Sequence, residues 1–476
     1  MSNPFGFLQY NRQDNPDRKV SERIKDWQEL QTPLAKDERQ KQAERCMNCG
    51  IPYCHAGNFY GQKQMVSGCP NENLIPEWND FLSSGEYRRA FERLSRTNPL
   101  PEMTGRVCPA PCEKACTAKL NGEGVTIHDN ERFIIDKAFE NGWVKASGRS
   151  IERTDVKVAI IGSGPAGLSA AWRLNQLGNN VTVFEKSDRF GGLLMYGIPN
   201  MKLDKKIIKR RIVLMKELGI QFVNNTTAGE DITAEELYRQ FDCVLLAIGS
   251  AIPRDLPIPG RDLSGIYFAV DFLTKATKEV LANEGKVKKT LAGKKVVVIG
   301  GGDTGNDCIA TSIRLGAKSV KQLEITPKLE KKRQANNPWP EYPITYQKGY
   351  GQEEAKTLYQ EKITEYSTST MAFIGSKKEK VVGIEVAQVD ENFQPLSKTK
   401  KIIKADIIIL AIGFLGAEQA VLQKFGVQEI FNNYQTNNER VYVAGDAKRG
   451  ASLVIWGIFE GRKAAEVINE NLSFSK

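Results

Sequence analysis

The sequence predicts a multidomain protein in which an N-terminal α-helical domain is followed by two α/β domains, each built on a parallel sheet. Its length of 476 residues is too great for one hydrophobic core. Seven of the nine cysteines lie in the first quarter of the chain, where short helical segments are broken by Pro and Gly. From residue 156 onward a pattern of strand, glycine turn, helix and strand occurs twice, which is typical of α/β domains.

A change of composition near residue 150 predicts the first domain boundary. A linker over 145–155 separates the helical region from the apolar strand VKVAII. Two later segments, CVLLAIGS and DIIILAIGF, are similar buried strands that end in Ala-Ile-Gly. This doubling predicts two related domains, with the chain returning to the first at its end. The expected ranges are 1–150 for the helical domain, 151–272 and 407–476 for the first α/β domain, and 273–406 for the second, in which 338–366 is an irregular excursion.

The net charge of +10, from 67 basic and 57 acidic residues, does not by itself indicate nucleic acid. Basic and acidic residues alternate, as in RIKDWQEL, and no long basic block is interleaved with aromatics. A solvated surface is the simplest interpretation, and an acidic protein partner is the alternative. No run of eighteen apolar residues occurs, and the N-terminus lacks the apolar stretch of a signal peptide. We therefore expect a cytoplasmic protein without membrane contact.

A first dinucleotide site is predicted where the strand VKVAII meets a glycine turn. Its glycines serve the tight turn, the close approach of a pyrophosphate and the packing of helix on strand. Glu185 ends the next strand, 18 residues after the last of these glycines, where a carboxylate accepts hydrogen bonds from ribose hydroxyls. The turn consists of Gly162, Ser163, Gly164, Pro165, Ala166 and Gly167.

The residues that follow decide which dinucleotide binds at this first turn. Gly192 and Leu193 come shortly after Glu185, and far downstream the strand VYVAGD ends at Gly445 and Asp446 before a helix of small residues. This pattern resembles the two-dinucleotide-binding flavoproteins, and the resemblance implies that FAD occupies the first site and that the aspartate binds the flavin's ribityl chain. A plain helix N-cap is the alternative role of Asp446. Gly413, which ends the second Ala-Ile-Gly strand, is a further candidate.

A second dinucleotide site is predicted in VVVIGGGDTGND, which repeats the glycine fingerprint. Here no clear acid ends the next strand, because Glu324 lies inside SVKQLEI and basic residues follow. A guanidinium binds a 2′-phosphate, whereas a carboxylate repels it, so we expect NADPH rather than NADH, with Arg333 as the best candidate ligand. A solvated basic loop is the alternative. The expected site residues are Gly300, Gly302, Asp303, Thr304, Gly305 and Arg333.

The cysteine array is the strongest metal-binding signal. Its spacings are Cys46-x2-Cys49-x4-Cys54, then Cys69, then Cys108-x3-Cys112-x3-Cys116. One zinc site needs four ligands and would leave three cysteines over. Two four-iron clusters need eight, so seven cysteines predict two clusters with one non-cysteine ligand. The remaining cysteines, Cys243 and Cys308, are expected to be buried apolar residues.

The quoted motifs, together with CMNCGIPYCHAG, TGRVCPAPCEKAC, NPWPEYP and GGLLMYGIPNMKLD, resemble the small (beta) subunits of bacterial glutamate synthases along essentially the whole chain. The N-terminal module is also similar to dihydropyrimidine dehydrogenase. The resemblance implies two Rossmann-like domains arranged as in glutathione reductase, with a discontinuous FAD domain. It also implies 4Fe–4S clusters held by Cys46, Cys49, Cys54 and Cys116, and by Cys69, Cys108 and Cys112 with Glu131. An exposed helix acid is the alternative role of Glu131.

The resemblance further implies an NADPH-dependent oxidoreductase that is the electron-input subunit of glutamate synthase. Electrons from NADPH would pass through FAD and the clusters to a large (alpha) FMN-containing subunit, which makes L-glutamate from L-glutamine and 2-oxoglutarate. No catalytic side chain is required, because the cofactors supply the redox chemistry. The alternative is a stand-alone NAD(P)H:ferredoxin or acceptor oxidoreductase. A thiol–disulfide reductase is less favoured, because no redox cysteine pair accompanies Glu185 or Cys308.

Overall fold

In the described part of the N-terminal domain the regular elements are short helices, joined by loops with isolated β-bridges at Asp17–Gln31 and Asn58–Ser67. The structure, a computed structural model, describes residues 3, 5–60, 65–144 and 152–474. The prolines at the starts of several helices are compatible with a first turn, whose N–H groups have no helical partner. The helices are α1 (Gly6–Gln9), α2 (Val20–Arg23), α3 (Lys36–Glu44), α4 (Ile75–Ser83), α5 (Tyr87–Leu94), α6 (Pro101–Val107), α7 (Pro111–Ala115) and α8 (Ile127–Glu140), with a 3-10 turn at Thr117–Asn121.

The first α/β domain contains a five-stranded parallel sheet in the order β15-β4-β1-β2-β3. The last strand of the chain pairs with β4, so the chain does return to this domain and the predicted discontinuity is confirmed. Its strands are β1 (Lys157–Ile161), β2 (Asn180–Phe184), β3 (Gln221–Val223), β4 (Cys243–Leu246) and β15 (Val441–Val443). Its helices are α9 (Pro165–Gln176), α10 (Leu193–Tyr196), α11 (Lys205–Glu217), α12 (Ala234–Gln240), α16 (Gln419–Lys424), α17 (Asp446–Arg449) and α18 (Val454–Phe474).

The second α/β domain repeats the same plan, with a five-stranded parallel sheet in the order β6-β13-β7-β8-β9. A three-stranded antiparallel sheet, β10-β11-β12, packs beside it through an apolar cluster that includes Val297 and Ile384. The strands are β6 (Ile266–Phe268), β7 (Lys295–Ile299), β8 (Ser319–Leu323), β9 (Thr364–Glu365), β10 (Thr368–Gly375), β11 (Val381–Gln388), β12 (Lys401–Lys404) and β13 (Ile407–Leu410). The helices are α13 (Ala269–Ala282), α14 (Asp303–Arg314) and α15 (Tyr350–Tyr359), with a 3-10 turn at Ser397–Thr399.

Three expectations about domain limits differ from the structure. β13 pairs with β6 and β7, so it belongs to the second sheet, and the returning segment does not begin at 407. β6 and the start of α13 belong to the second α/β domain, although they precede its expected first residue, 273. The excursion at 338–366 is not irregular throughout, because it contains α15 and β9. The chain crosses between the domains along a two-stranded antiparallel ribbon of β5 (Ile252–Pro253) and β14 (Phe414–Gly416). Most of the predicted 145–155 linker lies outside the described residues.

Residues 17–32, here called the N-terminal strap, contact all three domains. The Arg23 guanidinium donates to Glu354 of the second α/β domain at 2.9 Å. Arg106 and Arg132 of the helical domain donate to the Glu29 carboxylate at 2.6 and 2.7 Å. The backbone N–H of Leu30 donates to the Met201 carbonyl of the first α/β domain at 3.0 Å. The strap therefore ties the three domains to one another.

None of the helices in the described ranges combines the length and the apolar character that a crossing of a bilayer requires.

Candidate functional site

The first glycine turn leaves open space where its residues face outward and is closely packed elsewhere. Gly162 has φ +101°, and a Cβ there would collide with the Ala247 carbonyl oxygen. A Cβ on Gly167 would collide with the Gly162 carbonyl oxygen, so helix α9 lies directly on the strand. A Cβ on Gly164, the residue before α9, would meet nothing within 4 Å. This open face at a helix N-terminus is a suitable place for a pyrophosphate.

Glu185 lies beside this turn, immediately after β2, as the sequence predicts. Its Oε2 accepts from the Ser163 hydroxyl at 2.5 Å and the Ser163 N–H at 3.1 Å. Its Oε1 accepts from the Ser187 N–H at 2.9 Å. The Ser163 hydroxyl also accepts from the Gly191 N–H at 2.9 Å. Both carboxylate oxygens are thus fixed next to the glycines, within a buried network.

The segment after Glu185 lies against the same turn. A Cβ on Gly192, whose φ is +54°, would lie 2.9 Å from the Gly164 Cα. Leu193 begins α10 and is 41% exposed. Pro165 and Ala166 contact the last helix, because a Cβ on Gly457 would lie 3.3 Å from the Pro165 Cβ. The structure therefore brings together the predicted residues of the first site around Gly164.

The end of β15 delivers Asp446 to this domain. The Ser452 hydroxyl donates to Asp446 Oδ1 at 2.6 Å, and burial raises the pKa of the Asp446 carboxyl. Gly445 lies against Ala166, since a Cβ there would approach the Ala166 Cβ to 2.7 Å. Its N–H donates to Glu460 Oε2 at 2.9 Å. Asp446 is the first residue of α17, so it has the position of an N1 acid rather than of an N-cap.

Glu460 is a buried residue of this region that the sequence analysis missed. It is 1% exposed, and its Oε1 accepts from Arg449 Nε at 2.7 Å. Glu460 precedes Gly461, where a Cβ would collide with the Ala166 carbonyl oxygen. The start of α18, VIWGIFEG, is apolar except for this one acid beside a glycine, and that is the signal that was available. Glu460 therefore binds α18 to the residues after β15, and Gly461 lets α18 lie against the first turn.

The second glycine turn has the same backbone plan. Gly300 has φ +120°, and a Cβ there would collide with the Ala411 carbonyl oxygen. A Cβ on Gly305 would collide with the Gly300 carbonyl oxygen, whereas one on Gly302 would meet nothing within 4 Å. Asp303 and Thr304 form the first turn of α14. The open face again lies at a helix N-terminus.

The structure corrects the expectation that no acid ends the strand after this turn. β8 ends at Leu323, so Glu324 is the next residue rather than a residue inside the strand. Its Oε1 accepts from the N–H and the hydroxyl of Thr326, both at 3.0 Å. Its Oε2 lies next to Gly301, where a Cβ would collide with it. Glu324 therefore occupies in this domain the place that Glu185 has in the first.

Arg333 differs from the expected 2′-phosphate ligand in its contacts. One guanidinium nitrogen donates to the carbonyls of Asn337 and Pro338 at 3.1 and 3.4 Å, and the other donates to the Glu341 carbonyl at 2.7 Å. The guanidinium stabilises its own loop, so these donors are engaged within the protein. Gly413 lies beside the interdomain ribbon, where its carbonyl accepts from the Arg254 N–H, two residues after Ala411, which packs against Gly300.

The cysteines of the helical domain form two groups. Burial raises the pKa of the Cys46 thiol to about 12, with Cys116 and Cys49 as its thiol neighbours. Burial also raises the pKa of Cys54, whose neighbours are the same three thiols and, least of all, Cys69. This group contains Cys49, one of only two partly exposed thiols among the seven cysteines of the array.

The second group has Cys69, Cys108 and Cys112 around Glu131. Burial raises the pKa of the Cys69 thiol to about 12 and raises those of Cys108 and Cys112. The Glu131 carboxylate is a charged neighbour of all three. Arg462 of α18 lowers the pKa of Cys69, so this group faces the first α/β domain. The two groups have the same members as the expected ligand sets, which remain a prediction.

Glu131 is not an exposed helix acid, so that alternative is wrong. It is 6% exposed, and its Oε1 accepts from the Asn98 amide at 2.8 Å and from the Asn73 amide at 3.4 Å. Burial raises the pKa of Glu131 to about 7. A carboxyl group at this depth among three thiols has the chemistry of a metal ligand.

The donor set suits iron–sulfur chemistry. All nine cysteines are free thiols, and Cys243 and Cys308 are buried in apolar cores of the α/β domains, as expected. In the described ranges, no three His, Cys, Asp or Glu side chains converge closely enough to bind a single metal ion. A zinc site requires convergence on one ion, whereas the ligands of a four-iron cluster bind different irons.

Two family models match the chain. Residues 156–461 match "pyridine nucleotide-disulphide oxidoreductase", and residues 23–143 match "dihydropyrimidine dehydrogenase domain II, 4Fe-4S cluster". A solved structure of FprA from Mycobacterium tuberculosis in complex with NADPH has a TM-score of 0.52 at 19% identity, covering 68% of this chain and 86% of that one. This similarity shows the fold. The protein is therefore a pyridine nucleotide oxidoreductase with an attached iron–sulfur domain.

Relatives at higher identity define the family. The glutamate synthase (NADPH) small chain of Bacillus subtilis is 46% identical over 99% of both chains. That of M. tuberculosis H37Rv is 43% identical over 99% of this chain and 96% of its own. Glutamate synthase (NADH) of Schizosaccharomyces pombe is 44% identical over 98% of this chain, which spans 22% of that longer protein. This chain belongs to the glutamate synthase small-chain family.

Proposed function

We propose that this chain is the electron-input subunit of a glutamate synthase, which oxidises NADPH and delivers the electrons to a large FMN-containing subunit that makes L-glutamate. The observation that carries the proposal is the joining of two glycine turns and a buried cysteine array in one chain of this family. Its free thiols suit a reducing compartment, so we assign it to the cytoplasm.

FAD is assigned to the first turn, NADPH to the second and two 4Fe–4S clusters to the cysteine groups. When bound, these cofactors together accept a hydride and release single electrons. The N-terminus of α9 and the open face of Gly164 receive the flavin nucleotide's pyrophosphate. Glu185 accepts hydrogen bonds from the ribose, and Asp446 from the ribityl chain. The N-terminus of α14 and the open face of Gly302 serve the nicotinamide nucleotide in the same way.

The cysteine groups divide into an inner and an outer one. The group of Cys69, Cys108 and Cys112 with Glu131 lies on the side of α18, where Arg462 donates to the Asn71 amide oxygen at 3.3 Å. The group of Cys46, Cys49, Cys54 and Cys116 is the outer one. Each group has one partly exposed thiol, Cys49 and Cys108, so this assignment rests on the position of the other group beside α18. Burial of both groups excludes water and keeps the thiols together, and the outer group gives a route to a partner at the surface.

The central experiment is anaerobic purification, followed by iron, sulfide and flavin analysis and by titration with NADPH. We expect bound flavin, about eight irons per chain, and NADPH-dependent reduction of artificial acceptors. We expect no glutamate formation until the large subunit is added. Glutamate formed by this chain alone would contradict the assignment. Full activity with ferredoxin, and none with the large subunit, would instead establish the stand-alone acceptor reductase.

The role of Glu131 has its own test. Glu131→Ala is expected to remove the signal of one cluster and to halve the iron content, since an alanine supplies no ligand. EPR of the reduced protein and iron analysis measure both. Glu140→Ala, at an exposed acid on the same helix, is the matched control. Two unperturbed clusters in Glu131→Ala would remove Glu131 from the ligand set.

A further inference from the structure

The two strand-end acids, Glu185 and Glu324, occupy equivalent places in two equivalent turns. Each is the first residue after the second strand of its glycine unit. Each has an Oε1 that accepts from the backbone N–H two residues later, Ser187 at 2.9 Å and Thr326 at 3.0 Å. The Glu324 backbone is also fixed, because its N–H donates to the Glu365 carbonyl and its carbonyl accepts from the Thr368 N–H. The Glu324 side chain is therefore held in place before any nucleotide binds.

The second oxygen distinguishes the two acids. Glu185 Oε2 accepts from the hydroxyl and N–H of Ser163. The residue equivalent to Ser163 in the second turn is Gly301, which has no hydroxyl to donate. A Cβ at Gly301 would collide with Glu324 Oε2, so the carboxylate lies directly over the turn. Among the described residues, Glu324 Oε2 has no hydrogen-bond donor, and this oxygen is available to a ligand.

We propose that Glu324 binds the adenosine ribose hydroxyls at the second turn and lowers the site's preference for a 2′-phosphorylated nucleotide, so that the chain accepts NADH as well as NADPH. This proposal rests on the assignment of the nicotinamide nucleotide to the second turn. A carboxylate at the end of this strand accepts from the 2′-hydroxyl and repels a 2′-phosphate. Glu324 is thus a specificity-determining residue.

The cations near the second turn do not by themselves decide between NADPH and NADH. Arg333, which would have bound a 2′-phosphate through two parallel hydrogen bonds, donates to backbone carbonyls instead. Lys328 lies over the Tyr346 ring at 4.7 Å, and Lys331 and Lys332 are exposed. Lysines attract a phosphate as point charges without bidentate geometry. Attraction by these lysines and repulsion by Glu324 act on the same phosphate in opposite directions.

Binding of nucleotide fragments tests the proposal without redox turnover. The holoprotein is titrated calorimetrically with 2′,5′-ADP and with 5′-AMP, which differ only in the 2′-phosphate. In Glu324→Gln we expect the affinity ratio of 2′,5′-ADP to 5′-AMP to rise by about tenfold, because the negative charge is lost while the side-chain shape is kept. Glu391→Gln, at an exposed acid in the β11–β12 connection, should leave the ratio unchanged.

Flavin content and melting temperature verify that Glu324→Gln is folded. Thr326→Val, which removes one donor to Glu324 Oε1, is a second variant, and we expect it to shift the affinity ratio of the two fragments by about twofold. An unchanged ratio in a folded Glu324→Gln protein would overturn the proposal. The proposed function fails in a different way, if neither NADH nor NADPH reduces the flavin of the wild-type protein under anaerobic conditions. If NADPH reduces the flavin of the wild-type protein and the affinity ratio is unchanged in Glu324→Gln, the proposed role of Glu324 fails and the proposed function stands.

Discussion

The two glycine turns are alike in backbone and differ in what holds their strand-end acids. In the first turn, Ser163 binds one oxygen of Glu185, and both oxygens are engaged within the protein. In the second turn, Gly301 leaves one oxygen of Glu324 without a donor among the described residues. The comparison teaches that one residue inside a shared fingerprint changes what its neighbouring carboxylate offers to a ligand. The carboxylate of the first turn is oriented by protein donors on both oxygens, whereas that of the second keeps one oxygen open to a ligand.

The largest expected effect comes from breaking each turn separately. Gly162→Val and Gly300→Val each place a β-branched residue at positive φ against a carbonyl oxygen, at a combined cost of about 3 kcal/mol or more. Gly162→Val should lose bound flavin, whereas Gly300→Val should keep flavin and lose its reduction by NADPH. Flavin absorbance and anaerobic titration measure the two losses. Loss of flavin in both variants would show that the two turns do not act independently.

The second-largest effect is expected from substitutions in α18 and α15, the helices that pack beside the two turns. Gly461 of α18 lies against the Ala166 carbonyl, and Gly351 of α15 lies against the Asn306 carbonyl. Valine at either position should cost about 2 kcal/mol through overpacking. We expect Gly461→Val to weaken flavin binding by about thirtyfold, the equivalent of that cost, and Gly351→Val to leave flavin binding unchanged. Flavin release followed by fluorescence compares the two, and equal release would contradict the predicted separation.

Glu185→Gln is expected to have a smaller effect on the first site. The amide keeps one acceptor oxygen but loses the charge that strengthens hydrogen bonds from Ser163 and Ser187, which is worth about 1.5 kcal/mol. Flavin affinity should fall by about tenfold. Ser163→Ala serves as the comparison, because it removes the hydroxyl and leaves the carboxylate. Unchanged flavin affinity in Glu185→Gln would indicate that the carboxylate serves only the fold of the turn.

Arg333→Gln is expected to have the smallest effect on nucleotide binding. Its guanidinium donates to loop carbonyls, so its removal should destabilise the protein by about 1 kcal/mol and change NADPH affinity by less than about threefold. Lys332→Gln, at the exposed neighbouring position, is the control for loss of charge. Thermal unfolding and NADPH titration separate the two effects. A tenfold loss of NADPH affinity would restore Arg333 as a phosphate ligand.

The repeated glycine units were predictable because they are local patterns. Strand, turn and helix follow one another along the chain, and the structure confirms both units. The limit at 407 was wrong because sheet pairing is not local. The two Ala-Ile-Gly segments occupy matching places in different sheets, β4 beside β1 and β13 beside β7, and only β15 returns to the first. The segments indicated that the domain is doubled but not which sheet each strand joins.

The apolar pattern of SVKQLEI places Glu324 inside the strand, whereas β8 ends at Leu323. The spacing indicates that Glu324 is the equivalent of Glu185, since Glu324 follows Gly305 by 19 residues and Glu185 follows Gly167 by 18. The role of Arg333 was less predictable. Its guanidinium binds carbonyls that only the folded loop brings together, and the charge run in the sequence does not reveal those partners. The burial of Glu131 likewise depends on Asn73 and Asn98, which lie on other segments of the helical domain.

The N-terminal strap has a consequence for how the chain is made. Its Arg23 is 1% exposed and is paired with Glu354, which is 331 residues further along the chain. At the usual pace of a ribosome, Glu354 emerges roughly 15 to 65 s after Arg23. The strap therefore remains without this partner during most of translation, while the helical and first α/β segments are already outside the ribosome. The Arg23–Glu354 pair thus joins an early part of the chain to a late one, and it becomes possible before β13 and β15 have completed the two parallel sheets.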